Sequence, residues 1–403
     1  MWTRLYANRI LRIAVVVILS AAAAVSLWRG IENAISLSQD FQWDATKALA
    51  LGMDPYEISL SREQTFSQES LREYYAYYEA IGAPQRMEAN QFPSLLALLL
   101  PFALLPYMAA RIAWLVFNLF CTAGILWLLK KTILREADRF VFTVLSLLML
   151  AGTPFRNQLG VGQHTLFSVF FFLLALWLTE GEKDGILPGI CLAVSFFKYT
   201  LTAPLALYFL YRKKWKTFTV SVLFHILGTL AAALWLRESP VEMIVKPLKV
   251  SSALVSEGGL DLGALFGGSP FAFVLAALVM GMLLFLSLRS QTMGKILMSV
   301  LVLWSLILLY HRTYDFFVLI MAAGIFFTGD EEEQLPGEWY KPLLAGYVLL
   351  ILAAFFGLRI FDEARPAMIA TGILYYAYTI LLTYFCFRFG KNESRMGETN
   401  GNG

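Results

Sequence analysis

ILRIAVVVILSAAAAVSLW, residues 10–28, runs from Ile10 to Trp28 with a single charge, Arg12. Its apolar residues are continuous and do not alternate, so the stretch reads as a helix in lipid and not as one strand of a barrel. About 20 such residues cross a bilayer. Arg4, Arg9 and Arg12 stand before or at its start, and Trp28-Arg29 closes it without a small-residue cleavage site. The run is also long for the core of a signal peptide. We read a retained first membrane helix with its N-terminus in the cytoplasm.

The rest of the 403-residue chain has the same texture. It is 58% hydrophobic and only 15% charged, with a mean hydropathy of +0.63. Soluble domains carry about a quarter charged residues, so the expectation is an all-α polytopic membrane protein. A net charge of +3 gives no reason to invoke a nucleic-acid partner. Cys121, Cys191 and Cys386 sit inside apolar runs without a CxxC neighbour, which points to neither a disulfide framework nor a thiolate metal site. No HxxxH or DxD spacing stands out, so no metal and no cofactor are expected.

Further apolar runs fall near 108–129, 140–154, 165–179, 185–199, 200–211, 217–236, 270–288, 296–310, 315–328, 342–360 and 366–387. Several are too short to cross alone and suggest half-length or broken helices, giving about 10–13 crossings in all. FPSLLALLLPFALLPY (92–107) carries Pro93, Pro101 and Pro106, each lacking a helical donor. A re-entrant piece is expected there. Lys130, Lys131 and Arg135, YRKKWK (211–216), Arg289 with Lys295, and the tail from Arg388 fix the cytoplasmic side. The exterior then receives residues 29–107, 153–164, 237–269, 311–314 and 361–365. Between Arg29 and Gln91 ten acids face five bases, as suits an exterior loop. In SLREYYAYYEAI (70–81), Leu71, Tyr74, Tyr75, Tyr78 and Ile81 share one helical face. That helix lies in the membrane interface or packs on the protein's own loop. Residues 388–403 read as a disordered cytoplasmic tail, and the whole chain as a single membrane domain.

Ionisable residues near membrane segments are costly and tend to serve function. Asp40, Asp44, Asp54, Arg156, Gln163, His164, Lys198, His311, Arg312 and Asp315 all fall toward the exterior face, carboxylates opposite cations. Each has a plainer reading. The arginines can anchor helices at headgroups, His164 and His311 can make structural hydrogen bonds, and Asp40 can cap the segment beginning FQWDATKALAL. Asp54-Pro55 reads first as a turn, and His225 as a structural contact inside the bundle. Lys198 interrupts an apolar stretch and must snorkel or find an anion.

DFQWDATKALALGMDPYE (40–57), FPSLLALLLPFALLP (92–106), GVGQHTLFSVFFFLLALWL (160–178) and AVSFFKYTLTAPLALYFLYRKKWKTF (193–218) follow in that order. Together they resemble glycosyltransferase family 87, membrane mannosyltransferases of the GT-C superfamily. SSALVSEGGLDLGALFGG (251–268) and YHRTYDFFVLI (310–320) look like that family's later loop and final His-containing segment. The chain departs from the pattern at Pro93-Ser94, where the family has two prolines, and at Pro204, displaced from its usual place nearer Lys198. Asp44 stands where an aromatic is common.

The resemblance implies a GT-C-like helical bundle with a long first exterior loop, and an inverting transfer of a sugar, most often mannose, from a polyprenyl-phosphate carrier. The acceptor is a lipid-linked or cell-envelope glycan. It implies Asp40 as general base, and Lys198, Arg312, His311, His164, Arg156 and Gln163 as donors to the leaving phosphate. Asp44, Trp43 and Tyr56 then face acceptor or sugar. Partners are the lipid-linked donor, the acceptor and membrane lipids, and the site lies on the exterior face of the cell membrane. The rival classes are a lipid-linked oligosaccharide flippase or transporter and a glycan polymerase or ligase.

Overall fold

The structure, a computed structural model, describes residues 8–36, 41–60, 89–181, 183–253, 259–267, 269–289, 294–327, 335, 337–357 and 365–389. The tyrosine-rich helix expected over 70–81 and the tail beyond 389 lie outside these residues. Among the described residues every regular element is helical. In chain order they begin with α1 (Arg9–Ser36), α2 (Trp43–Ala50), α3 (Pro55–Leu60), α4 (Pro93–Ala103), α5 (Tyr107–Lys131) and α6 (Arg139–Ala151). Next come α7 (Thr153–Val161), α8 (Thr165–Leu178), α9 (Ile186–Ser195), α10 (Tyr199–Tyr211), α11 (Trp215–Leu236) and α12 (Glu242–Ala253). The last are α13 (Leu262–Leu265), α14 (Pro270–Arg289), α15 (Gly294–Leu308), the 3₁₀ helix α16 (Thr313–Phe326), α17 (Gly337–Leu352) and α18 (Arg365–Phe389).

The chain is an all-α polytopic membrane protein. Seven helical runs among the described residues are long and apolar enough to cross a membrane, and the pair α6–α7, bent by 52°, makes an eighth. Helices α4, α8, α15 and α16 are shorter. The expected ten to thirteen crossings count these short helices as well. Length and burial go together: α15 and α16 are buried along nearly their whole length, whereas α1 and α11 leave Ile10, Leu234 and Trp235 bare. Outer helices need the full bilayer length because lipid surrounds them, whereas inner ones are enclosed by protein.

The segment from Ile186 to Tyr211 passes the length test as one span, yet its contacts make it a hairpin. Lys214 Nζ donates to the Gly181 carbonyl at 2.7 Å, and the Thr217 amide donates to Asp184 Oδ1 at 2.7 Å. Both ends of the segment therefore lie at one face of the bundle. Gly189 packs against Val220, and His225 Nε2 meets the Ala193 carbonyl at 3.0 Å, so α9 rises alongside α11. Phe209 on α10 then packs on Phe172 in the middle of α8 as the chain returns. The apex is the 3₁₀ turn Phe196–Lys198, where Lys198 leaves helical geometry at φ −115°, ψ 65°. Phe197 anchors it, fully buried against His164 and Phe167. The Thr202 hydroxyl lies 2.9 Å from the Ser195 carbonyl and 3.0 Å from that of Lys198, so one side chain ties the two arms together across the break.

Polar side chains tie other helix ends together at the apex level. Arg111 Nε donates to the Ala34 carbonyl near the end of α1 at 2.7 Å, and Trp114 Nε1 donates to Gly162 beyond α7 at 2.8 Å. Helix α4 has the broken form that its prolines suggest, with Pro93 opening it and a 3₁₀ turn at Ala97–Leu99. His225 Nδ1 lies 2.9 Å from Ser94 Oγ. With Nε2–H given to Ala193, Nδ1 accepts from the serine, so His225 is the structural contact expected of it.

These contacts put residues 41–60, 162–165 and 311–315 toward one face and 131–139, 181–186 and 211–217 toward the other. Leu51→Cys and Val241→Cys, both at exposed positions, should react with an impermeant thiol reagent in intact cells, and Lys216→Cys should not. Labelling of Lys216→Cys with Leu51→Cys silent would reverse the sidedness read from the charges.

Candidate active site

The hairpin apex delivers Lys198 to the start of α16. Its Nζ lies 3.4 Å from Asp315 Oδ2, with the lysine side chain 11% exposed and the aspartate 0%. Asp315 Oδ2 also faces His311 Nδ1 at 2.8 Å, and its Oδ1 accepts a hydrogen bond from the Thr165 hydroxyl at the head of α8. One buried carboxylate thus joins three separate elements. His311 Nε2 is buried and makes no hydrogen bond. Tyr314 lies under the ammonium, 5.5 Å from ring centroid to Nζ.

Lys198 has therefore found its anion and need not snorkel. The expected donor cations Lys198 and His311 meet on Asp315, and the others stand apart. Arg312 is exposed and bonded through Nε to the Tyr310 hydroxyl. Arg156, half-buried, reaches the Asn157 amide oxygen at 3.2 Å. His164 is packed between Trp114 and Phe197, its ring centroid 4.4 Å from that of Phe197. Neither of its ring nitrogens makes a well-formed hydrogen bond, although the Phe41 backbone lies beside it. A charged imidazolium in that aromatic cage is disfavoured, so His164 is better suited to packing than to cation duty. Gln163 is half-buried beside it.

The first loop differs from expectation in three respects. Asp40 lies outside the described residues. Helix α2 begins at Trp43 with Gln42 as its cap, in the left-handed region at φ 59°, ψ 30°. Gln42, not Asp40, is thus the cap of that helix. Left-handed geometry is uncommon outside glycine; here it turns the chain sharply after Phe41, whose buried ring stacks on Tyr107 and Trp114. Trp43 and Tyr56 do not offer open faces to a sugar. Trp43 is buried, edge-on to Tyr107, with Nε1 donating to the Phe102 carbonyl. Tyr56 is fully buried, its hydroxyl donating to the Gln91 carbonyl at 2.6 Å. Asp44 is buried in the first turn of α2.

Asp54 shapes its turn as expected, accepting from the Tyr56 amide at 2.8 Å. Its second oxygen pairs with Lys246 on α12 at 2.6 Å, and Glu57 and Glu238 lie 3.5 and 3.7 Å from the same ammonium. Three carboxylates close enough to share a cation are gathered by lysine. Burial opposes the charged form of Lys246, but its hydrogen bond to Asp54 and the attraction of the three carboxylates outweigh it, so its pKa is raised.

Residues 93–329 match the sequence profile of glycosyltransferase family 87. The chain belongs to that family. It is a membrane glycosyltransferase, and the apex, the α8 head and the His311–Asp315 turn all fall within the matched segment. No curated protein and no solved structure matches it. The first loop, residues 40–57, precedes the segment that carries the family 87 match. Asp315, the hub of the cluster, stands among the carboxylates grouped with the cations in the sequence but had no role assigned to it there. Its signal was the i, i+4 spacing from His311 in HRTYD.

Removing one partner of a buried ion pair typically costs about 3–5 kcal/mol. Asp315→Ala should lose stability of that order in chemical denaturation, because Lys198 and His311 keep their buried polar groups without the shared acceptor. Asp315→Leu combined with Lys198→Met should lose less than the two single changes added together. Simple additivity would show that the two side chains act independently.

Lys246 generates a pH prediction. A lysine whose folded pKa is raised stabilises the fold fully below its unfolded value, about 10.4, and loses that contribution as pH rises through the folded pKa. The melting-temperature gap between the unmodified chain and Lys246→Gln should be constant through neutral pH and close at alkaline pH. A gap that persists unchanged there would remove charge from the explanation.

Proposed function

We propose that this glycosyltransferase is an inverting enzyme that takes a sugar, mannose foremost, from a polyprenyl-phosphate carrier and places it on a lipid-linked or cell-envelope glycan at the exterior membrane face. The reading rests on one observation above the others: a buried Lys198–Asp315–His311 group at the tip of a broken helix, within the segment that carries the family match. A lipid-phosphate leaving group gathers negative charge as the bond to the anomeric carbon breaks. Lys198 is a cation suited to that oxygen, and Asp315 fixes the His311 imidazole by accepting from Nδ1. Nε2 is then the nitrogen that meets the substrate.

In the proposed reaction the acceptor hydroxyl oxygen bonds to the anomeric carbon as the carbon–phosphate-oxygen bond breaks. Asp40 takes the hydroxyl proton, and polyprenyl phosphate leaves. Asp40 directly precedes Phe41, whose ring is clamped beside α5, and Phe41 lies next to His164 and so to the head of α8. The role of base is assigned to Asp40, and that of orienting the acceptor to Asp44, on the family resemblance. The chain is assigned to the cell membrane with both termini cytoplasmic and treated as one membrane domain.

Purified protein offered a panel of polyprenyl-phosphate sugars and glycan acceptors, followed by mass spectrometry, tests the reading. Free polyprenyl phosphate should appear in step with glycosylated acceptor. A carrier moved across liposomes uncleaved would make the protein a flippase instead. Asp40→Asn should bind donor yet lose about 10²–10⁴-fold in turnover. Lys198→Ala should weaken donor binding, and Lys198→Arg should restore part of it. Undiminished donor affinity in folded Lys198→Ala would confine that lysine to holding Asp315.

A further inference from the structure

At the face opposite the hairpin apex, the ends of α5 and α8 enclose a cavity of about 440 Å³ lined by Lys130, Lys131, Arg135, Trp177 and Glu180. We propose that this cavity binds the phosphate-bearing headgroup of an anionic phospholipid of the surrounding membrane. Three cations against one carboxylate leave it a net positive charge. Its depth is marked by tryptophan: Trp177 packs edge-on to Trp127 with centroids 5.2 Å apart, and Trp127 is half exposed on the lipid side. Tryptophans of this kind sit at the level of headgroups.

Helix-end electrostatics alone does not account for the cations. Lysines in a last helical turn complement the negative end of the helix dipole, and Lys130 meets that need. Its ammonium lies 3.0 Å from the Arg135 carbonyl and 2.5 Å from the Ala137 carbonyl, pinning the turn after α5. Ile133, Leu134 and Ala137 are buried beneath that turn, and Ile133 packs on Gly324 of α16. The turn is thus held as a rigid shelf. Lys131 and Arg135 stand out from it, and the contact of Arg135 with Glu136 is a loose 4.0 Å pair between exposed side chains. Such a pair holds little energy, so both cations are available to an incoming phosphate. Volumes of this size suit small-molecule groups, and Trp177, which lines the cavity, continues through its ring contact to the exposed Trp127, so a headgroup can enter while its acyl chains stay in the bilayer.

The test uses delipidated full-length protein in detergent, with an equimolar mixture of phosphatidylglycerol and phosphatidylcholine of identical chains, read by native mass spectrometry. The protein should retain phosphatidylglycerol in preference. Each basic residue near a lipid surface contributes about 1 kcal/mol, so removing two in Lys131→Gln/Arg135→Gln should lower the bound ratio by roughly thirtyfold. Lys131→Arg/Arg135→Lys should keep it, which separates loss of charge from misfolding. Lys213→Gln/Lys216→Gln removes the same charge from the same face outside the cavity and should leave the ratio unchanged. An equal fall in both glutamine variants, or in neither, would overturn the site. Displacement of phosphatidylglycerol by millimolar inorganic phosphate alone would identify a free-anion pocket and overturn the lipid as its occupant.

Discussion

A lysine at the tip of a buried helical hairpin must have a counter-ion, and much of the arrangement around the site follows from that demand. An unpaired ammonium inside a bundle is costly enough that the chain would refold around it or neutralise it. Asp315 answers Lys198, but a carboxylate with two oxygens has capacity beyond one partner. Thr165 and His311 take up that capacity. The pairing therefore fixes three things at once: how far the α9–α10 hairpin penetrates, where α8 begins, and the angle at which the chain enters α16. Apolar side chains of similar volume would satisfy the packing equally well. Retained charge there makes sense where charge is also needed for chemistry, as it would be under the proposed transfer from a lipid phosphate.

The fold class was legible because lipid leaves so few solutions. Continuous apolar runs with few charges permit only helices, and the loop charges sort their ends. The hairpin was half legible: the apolar runs over 185–199 and 200–211 are its two arms, and Lys198 marks the break. Span length alone hides it, since 26 residues from Ile186 to Tyr211 suffice to cross. Only long-range contacts, such as Lys214 with Gly181, show the chain returning to its starting face.

The site was legible at its cations and less so at its carboxylates. Lys198 and His311 stood out because a polar residue in an apolar run advertises its own cost. Asp315 lies at a segment boundary, where acids are ordinary caps, so its burial had no signature in composition. Trp43 and Tyr56 are ambiguous in sequence for the opposite reason. Aromatic rings beside carboxylates resemble a sugar platform, yet burying a large ring stabilises a loop just as readily, and here both polar ends are spent on backbone carbonyls.

That use of backbone carbonyls bears on how the first loop attaches to the rest. Trp43 and Lys47 donate to the carbonyls of Phe102 and Ala103, and Trp235 donates to that of Leu49. Each of these bonds needs one specific side chain but accepts any residue as its acceptor. The loop is thus fastened to the family segment with few constraints on sequence at the receiving end. Lys246 with Asp54 is the charged fastening, at 2.6 Å. Two of the three specific side chains, Trp43 and Lys47, belong to the loop, so the demands of this attachment fall mainly on the loop itself, and the carbonyls of Phe102 and Ala103 serve whatever side chains those positions carry.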